Sequence, residues 1–441
     1  LVLVRWWREP VFERLRGLRK PNAFERWALG HDRGWASFIA AASAASYLLV
    51  GGGLRSVRGW VGRFDVTRRA LAYLFRRKLD RLGQDTQARE LSPLEPDLVD
   101  ALGPHRAAMV DASPPSSAEA FSRVRGRITR SEPGIVAIVG ERGMGKSTAL
   151  SALGEGVDGI VSLEVLGASL DDLTRRLGEH AGKTTGKLPD VVRARSASGT
   201  RAVFLDDAQR LVVPAMGGLA AFDALLAAVG AHGGGIVWVL AIDDVVWRFL
   251  VQARSARPVF DDIWILEPFG EEAIGGLLRE RTAAVGLSPS YELLLDVALP
   301  EKDEVERREA LVARAASYDR LVWDHAGGNP GVALHLWSRS LRRDEGGACL
   351  VTPFVSPEPK DLERLPDAVL FVLRAVLQLD PARPEAIAEA TNLRAFEVND
   401  ALRYAEGRGY VEAVPGGYRV TWEYYRVVVL FLQRRHLLVS T

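Results

Sequence analysis

The chain has 441 residues, 48% of them apolar and 26% charged, with a net charge of +1. This composition excludes a disordered protein and gives room for roughly two to four domains, each with a core. Its one cysteine, Cys349, excludes an internal disulfide framework and a cysteine-only metal site, and suits a reducing compartment.

The charge is unevenly placed. Residues 1–85 hold 17 Lys/Arg against 7 Asp/Glu, so they carry about +10 and the remainder about −9. Within them, residues 1–34 are basic and aromatic, with Trp6 and Trp7 between Arg5 and Arg8. Trp35 to Leu54 then runs for twenty residues without a charge. That length spans a bilayer core. Trp35 and Tyr47 fall where interfacial aromatics sit, and the arginines from Arg55 onward would place the rest of the chain in the cytoplasm. A soluble, buried helix fits the same stretch, because it holds six alanines, three serines and three glycines. Residues 59–82 mix Trp60, Phe64, Leu71 and Leu74 with basic positions, which suits either an anionic membrane surface or a solvated amphipathic helix. Residues 86–117 read as a linker punctuated by Pro93, Pro96, Pro104, Pro114 and Pro115.

From 118 to 268 apolar runs alternate with helical patterns. Strands are expected at 135–139, 159–165, 201–206, 235–242 and 262–266, and helices at 146–155, 168–181, 218–230 and 244–253. Such alternation predicts an α/β fold with a parallel five-stranded sheet and helices on both faces. At the end of the first strand stands Gly140-Glu-Arg-Gly-Met-Gly-Lys-Ser-Thr148, which fits the phosphate-loop pattern G-x-x-x-x-G-K-[ST] without a mismatch. Gly140, Gly143 and Gly145 let backbone N–H groups turn inward around a phosphate, and the following helix N-terminus adds its dipole. Lys146 is expected to reach the β- and γ-phosphates of ATP, Ser147 to ligate Mg²⁺, and Thr148 to complete the cradle.

The third strand ends in Asp206-Asp207, sixty residues after Lys146. Asp206 is expected to hold Mg²⁺ through water and Asp207 to orient or deprotonate the attacking water. The fourth strand ends in Asp243, for which two readings stay open: water-mediated sensing of the γ-phosphate, or a cap on the next helix. Arg254 and Arg257 precede the fifth strand, where an arginine can reach a neighbouring subunit's nucleotide or simply lie on the surface.

Residues 269–344 read as a helical lid containing Gly327-Gly-Asn-Pro330. The glycines stop one helix, Pro330 starts the next, and Pro330 is expected near the adenine or ribose. A second linker, 345–361, leads into 362–441. There three helices and two strand-like runs joined by Pro415-Gly-Gly417 predict a helix-turn-helix with a wing. The third helix is a poor DNA reader, because Arg394, Arg403 and Arg408 are offset by Glu397, Asp400 and Glu406. A structural or autoinhibitory role for this domain fits better. The seven histidines are scattered without metal-ligand spacing.

The phosphate loop, the Asp-Asp strand, the arginines before the fifth strand, Gly-Gly-Asn-Pro and the winged helix occur in this order. Together they resemble the AAA+/STAND class of ATPases, especially its origin-recognition and transposon-regulator branches and the bacterial STAND signalling ATPases. The resemblance covers about residues 118–440 and leaves residues 1–85 outside it. It implies that Lys146 and Ser147 bind phosphate and Mg²⁺, that Asp206 positions Mg²⁺, and that Arg257, or else Arg254, is an arginine finger in a homo-oligomer. Asp207 stands where AAA+ enzymes usually have Glu, whereas paired Asp is common in STAND proteins. Gly331 stands where many members carry a lid arginine, which implies slow hydrolysis or a nucleotide-held switch. Two functions follow as expectations. One is a membrane-tethered ATPase switch that assembles with nucleotide. The other is a DNA-associated ATPase using the winged helix. A metabolic kinase fits neither the lid nor the C-terminal domain.

Overall fold

The structure, a computed structural model, describes residues 72–73, 75–76, 91–104, 115–180, 186–254, 260–295, 304–354, 357 and 359–439. The uncharged stretch 35–54 and Arg257 lie outside them. Among the described residues no helix is long and apolar enough to cross a membrane. The chain divides into two compact units, residues 1–74 and 75–441. Of the first, residues 72 and 73 are described, and both are helical.

The second unit opens with a short strand β1 (Ser92–Pro93) and a helix α1 (Pro96–Leu102), followed by α2 (Pro115–Thr129). The alternating region then runs β2 (Gly134–Gly140), α3 (Lys146–Gly154), β3 (Ile160–Glu164), α4 (Leu170–Glu179), α5 (Leu188–Ala197) and β4 (Ala202–Asp206). It continues with α6 (Ala220–His232), β5 (Val237–Asp243), α7 (Asp244–Ala253) and β6 (Asp262–Ile265). The five strands pair in the order β3-β4-β5-β2-β6, all parallel. The central strands β2 and β5 are apolar along almost their whole length because both of their faces are covered. On one face pack Leu173 of α4, Val191 and Val192 of α5, Phe222 and Leu225 of α6, and Val246 of α7. On the other pack Val124 and Ile128 of α2 with Leu150 and Leu153 of α3. This is the layered α/β fold of a P-loop NTPase.

All five strands lie where the apolar runs put them. Helix α5 is an addition. Its buried side includes Arg195, which donates to the Leu177 carbonyl and to Thr200 and so hides the apolar periodicity. The strand order matters for function. One strand, β5, stands between the phosphate-loop strand β2 and the Asp206 strand β4. Gly140 therefore pairs in register with Asp243, and the ends of β2, β4 and β5 meet at one edge of the sheet.

The region expected to form a lid consists of α8 (Glu271–Ala284), α9 (Glu304–Ala326) and α10 (Pro330–Ser340). The charge-dense start of α9 is exposed at Arg307, Arg308 and Glu309, whereas its second half buries Tyr318, Leu321 and Val322. Gly327 and Gly328 take φ of 59° and 76°, and Asn329 caps α10 by accepting from the Gly331 and Val332 amides at 3.0 and 3.2 Å. After α10 come β7 (Leu341–Arg343) and β8 (Cys349–Val351), which form an antiparallel sheet with β1. Thus both stretches expected to be linkers carry structure. One supplies β1 and the helix α1, which packs on α10, and the other supplies β8.

The C-terminal region contains α11 (Asp367–Leu379), α12 (Pro384–Thr391), α13 (Ala395–Gly407), the antiparallel hairpin β9 (Val411–Val414) and β10 (Gly417–Val420), and α14 (Trp422–Arg434). Three helices, a hairpin and a closing helix follow one another as the sequence pattern suggests. Helix α11 is the core of this unit, with Val369, Val372, Leu373 and Val376 buried. Helix α14 packs on α10 and on α11, and α11 also touches α7, so the region contacts both the helices that follow the sheet and the α/β core itself.

Candidate functional site

The site is built around the turn from β2 into α3. Gly143 and Gly145 have φ of 86° and 90°, in the left-handed region that glycine enters at no steric cost. At Gly143 there is a second constraint. A Cβ there would lie 2.8 Å from Asn329 Oδ1 and 2.9 Å from the Trp422 ring. Gly145 is the N-cap of α3, so the first amides of that helix are left for whatever fills the loop. Lys146 is 8% exposed. Its Nζ donates to the carbonyls of Gly140 at 2.8 Å and Glu141 at 3.1 Å, and lies 3.5 Å from Asp243 Oδ2.

Across the sheet edge, the Ser147 hydroxyl hydrogen-bonds Asp206. Burial raises the pKa of Asp206, and the Ser147 bond opposes that rise. Asp207 adopts φ of 54°, unusual for a residue with a Cβ. One of its carboxylate oxygens accepts from Gln209 Nε2 at 2.9 Å and the other from Arg210 Nη2 at 2.5 Å. Arg210 also pairs with Glu164 at 3.1 Å. Gln209 links onward, since its Oε1 accepts from the Asp243 amide at 3.3 Å. The two residues were legible only as the Gln-Arg that follows Asp-Asp-Ala; nothing in their spacing announced a grip on Asp207.

Asp243 sits at the centre because β5 is the inserted strand. It satisfies one of the two readings directly. Its Oδ1 accepts from the Val245 amide at 3.0 Å and caps α7. Its Oδ2 faces Lys146. Burial pushes its carboxyl up to about 6, with Lys146 opposing.

The loop is closed from outside by contacts that the sequence did not announce. Asn329 Nδ2 donates to the Arg142 carbonyl at 2.8 Å, and the Gly331 amide donates to the Gly143 carbonyl at 3.1 Å. A Cβ on Gly331 would stand 2.8 Å from Gly143 Cα and 2.9 Å from Trp422. No larger side chain, arginine included, fits there without moving the loop. Arg142 projects into the C-terminal region. Its amide donates to Tyr425 Oη at 3.1 Å and its Nη1 to the Val420 carbonyl at 2.6 Å. Its guanidinium lies 3.6 Å from Asp380 and 4.0 Å from the centre of the Trp422 ring. Burial draws its pKa down, and Asp380 opposes this. Glu141 beside it pairs with Arg426 at 3.6 Å.

A cavity of about 630 Å³ opens over the loop. Its lining includes the polar Lys146, Ser147, Asp207 and Asp243 and the apolar Phe121, Trp264, Phe269, Leu277 and Leu334. Pro330 lines it as expected, together with Thr148. The size, the apolar lining and the glycine-built cradle fit a nucleotide. Ser147 and Asp206 are the oxygen donors that suit Mg²⁺ shared with phosphates. Among the described residues no group of three or more His, Cys, Asp or Glu could hold a metal alone. Arg254 is engaged within the chain, paired with Asp223 and lying over the Phe222 ring.

Neither a family model nor a curated protein sequence matches this chain. Solved structures do resemble it. The ORC2 protein of Aeropyrum pernix, in ADPNP and ADP complexes, is 14% identical with a TM-score of 0.39, over 74% of this chain and 97% of that one. The Cdc6p protein of Pyrobaculum aerophilum is 15% identical with a TM-score of 0.33, over 76% of this chain and 98% of that one. A STAND protein with a tetratricopeptide sensor from Pyrococcus horikoshii is 13% identical with a TM-score of 0.33, over 71% of this chain and 42% of that one. With scores this low, the fold rests on the strand order and the loop geometry.

Asp243 gives the site a pH signature. Its folded pKa, about 6, lies above its ordinary value of 3.8, so between those values the folded chain binds more protons than the unfolded one. Its contribution therefore makes stability fall as pH rises from about 4 to about 6 and stay level above, by on the order of 2 kcal/mol. Chemical denaturation of the nucleotide-free chain at pH 5 and pH 7.5 should show this loss in the wild type and much less of it in Asp243→Asn. An equal pH dependence in the two proteins would contradict the assignment.

Proposed function

We propose that the chain is an ATP-binding and slowly hydrolysing switch of the AAA+/STAND type, in which the C-terminal region, read as a winged helix, holds the phosphate loop. The observation that carries this reading is one cavity lined by Lys146, Ser147 and Asp207, with Asp206 beside Ser147, and also by a set of apolar side chains. Lys146 is positioned to exchange its carbonyl and Asp243 partners for phosphate oxygens. Ser147 and Asp206 would hold Mg²⁺, which when bound bridges and neutralises phosphate oxygens. Asp207 is the group to orient or deprotonate water, but it is occupied by Gln209 and Arg210. Turnover then requires that grip to loosen, which favours slow hydrolysis and a long-lived bound state.

Assembly remains part of the proposal. With Arg254 engaged by Asp223, the trans-acting arginine is assigned to Arg257. Membrane tethering through residues 35–54 is likewise proposed, on the uncharged length and basic flanks, with the ATPase in the cytoplasm. Retention after a carbonate wash supports tethering, and release by salt alone removes it. The DNA-associated alternative is less well supported, because the exposed face of α13 carries Asp400 and Glu406 beside Arg403.

Binding of a fluorescent ATP analogue and single-turnover hydrolysis test the core reading. Lys146→Ala should lose most affinity. Asp207→Asn should keep affinity within a few-fold and slow hydrolysis by about 10²- to 10⁴-fold. Unchanged affinity in Lys146→Ala would overturn the site.

A further inference from the structure

The cavity is not built by the core and lid alone. Arg419, on strand β10 of the C-terminal hairpin, also lines it. Its guanidinium is anchored through Nε, which donates to Asp380 Oδ1 at 2.6 Å. Among the described residues its two terminal amines make no hydrogen bond, and its side chain is 25% exposed. Lys146 faces Asp243 and two carbonyls, and Arg142 is turned toward Val420, Asp380 and Trp422, with only a buried Nη2 left over. Arg419 differs from both in offering its outer amines from a partly exposed side chain that lines the cavity.

It stands beside the phosphate loop. Asp380, its partner, lies 3.6 Å from the guanidinium of Arg142, a residue of that loop, and the carbonyl of Val420, next to Arg419 in the chain, accepts from Arg142 Nη1 at 2.6 Å. A guanidinium presents several donors in a rigid fork that matches phosphate geometry, and one anchored at Nε still offers its two outer amines.

We infer that Arg419 is a phosphate ligand supplied by the C-terminal hairpin, which binds the outer phosphates of a nucleoside triphosphate together with Lys146. This deepens the proposed ATP site and rests on it. The consequence is a direct link between nucleotide state and the C-terminal region. Phosphate oxygens compete with Asp380 for Arg419, and Asp380 is also the acid beside Arg142. Filling the outer phosphate position redistributes the Arg142–Asp380–Arg419 cluster, and losing that phosphate restores it. The nucleotide is then read by the hairpin itself and not only by the lid.

The test is calorimetric titration of the full chain with Mg²⁺ and AMP-PNP, ADP or AMP. Charged hydrogen bonds are worth about 1.5–3 kcal/mol, or roughly 10- to 100-fold. Arg419→Gln should weaken AMP-PNP by that factor, ADP by less, and AMP by no more than about twofold, while Arg419→Lys recovers part of the loss. Equal weakening of all three nucleotides would make Arg419 a merely structural residue, and no weakening of any would exclude it from the site; either result overturns the inference. Lys146→Ala separates this from the parent reading. If the wild type binds none of the nucleotides, or Lys146→Ala binds them unchanged, it is the ATP site itself that fails.

Discussion

Arg142 is the constraint on which the arrangement turns. It is a residue of the phosphate loop, yet its side chain belongs to another region. A buried guanidinium is costly unless its donors and charge are met. Here the Val420 carbonyl, Asp380 and the face of Trp422, all from the C-terminal region, meet its charge and most of its donors, and the buried Nη2 is left without a hydrogen-bond partner among the described residues. The loop backbone is held in the same way, since the Arg142 amide donates to Tyr425 and its carbonyl accepts from Asn329. The loop, the lid and the last helix therefore share one set of contacts.

That sharing explains features that look unrelated. Gly143 and Gly331 are both needed small, because each would otherwise collide with the other's backbone or with Trp422. The lid position after Asn329-Pro330 cannot carry a large side chain for the same reason. Asp207 is restrained on its other side by Gln209 and Arg210, so both loop and acid are held in the closed arrangement. These restraints on the loop and the acid are what support the proposal of slow turnover.

The sheet, the phosphate loop and the acid strand were legible because each leaves a local mark. Buried parallel strands read as apolar runs, and the loop chemistry demands Gly, Lys and Ser at fixed offsets. The Gly-Gly-Asn-Pro turn was legible from its capping chemistry. What the sequence hid is long-range. Arg142 occupies a variable position of the loop motif, and its partners, from Asn329 to Tyr425, are 187 to 283 residues away in the chain. Nothing at Asp380, Arg419 or Tyr425 marks them locally as neighbours of a phosphate loop. Strand β1 was hidden for another reason: two residues, one of them Pro93, carry no β pattern and become a strand only by pairing with β7. Asp243 lay between, since its capping role could be read from position but its partner Lys146 could not.

The most direct test of the clamp is amide hydrogen exchange on the nucleotide-free full chain with Arg142→Ala. If the guanidinium ties the C-terminal hairpin to the loop, peptides spanning 418–425 should exchange at least about tenfold faster, the equivalent of about 1.4 kcal/mol of local opening, while peptides from β2 and β5 stay unchanged. Wild-type exchange in 418–425 would contradict the account, because the hairpin would then be held without Arg142.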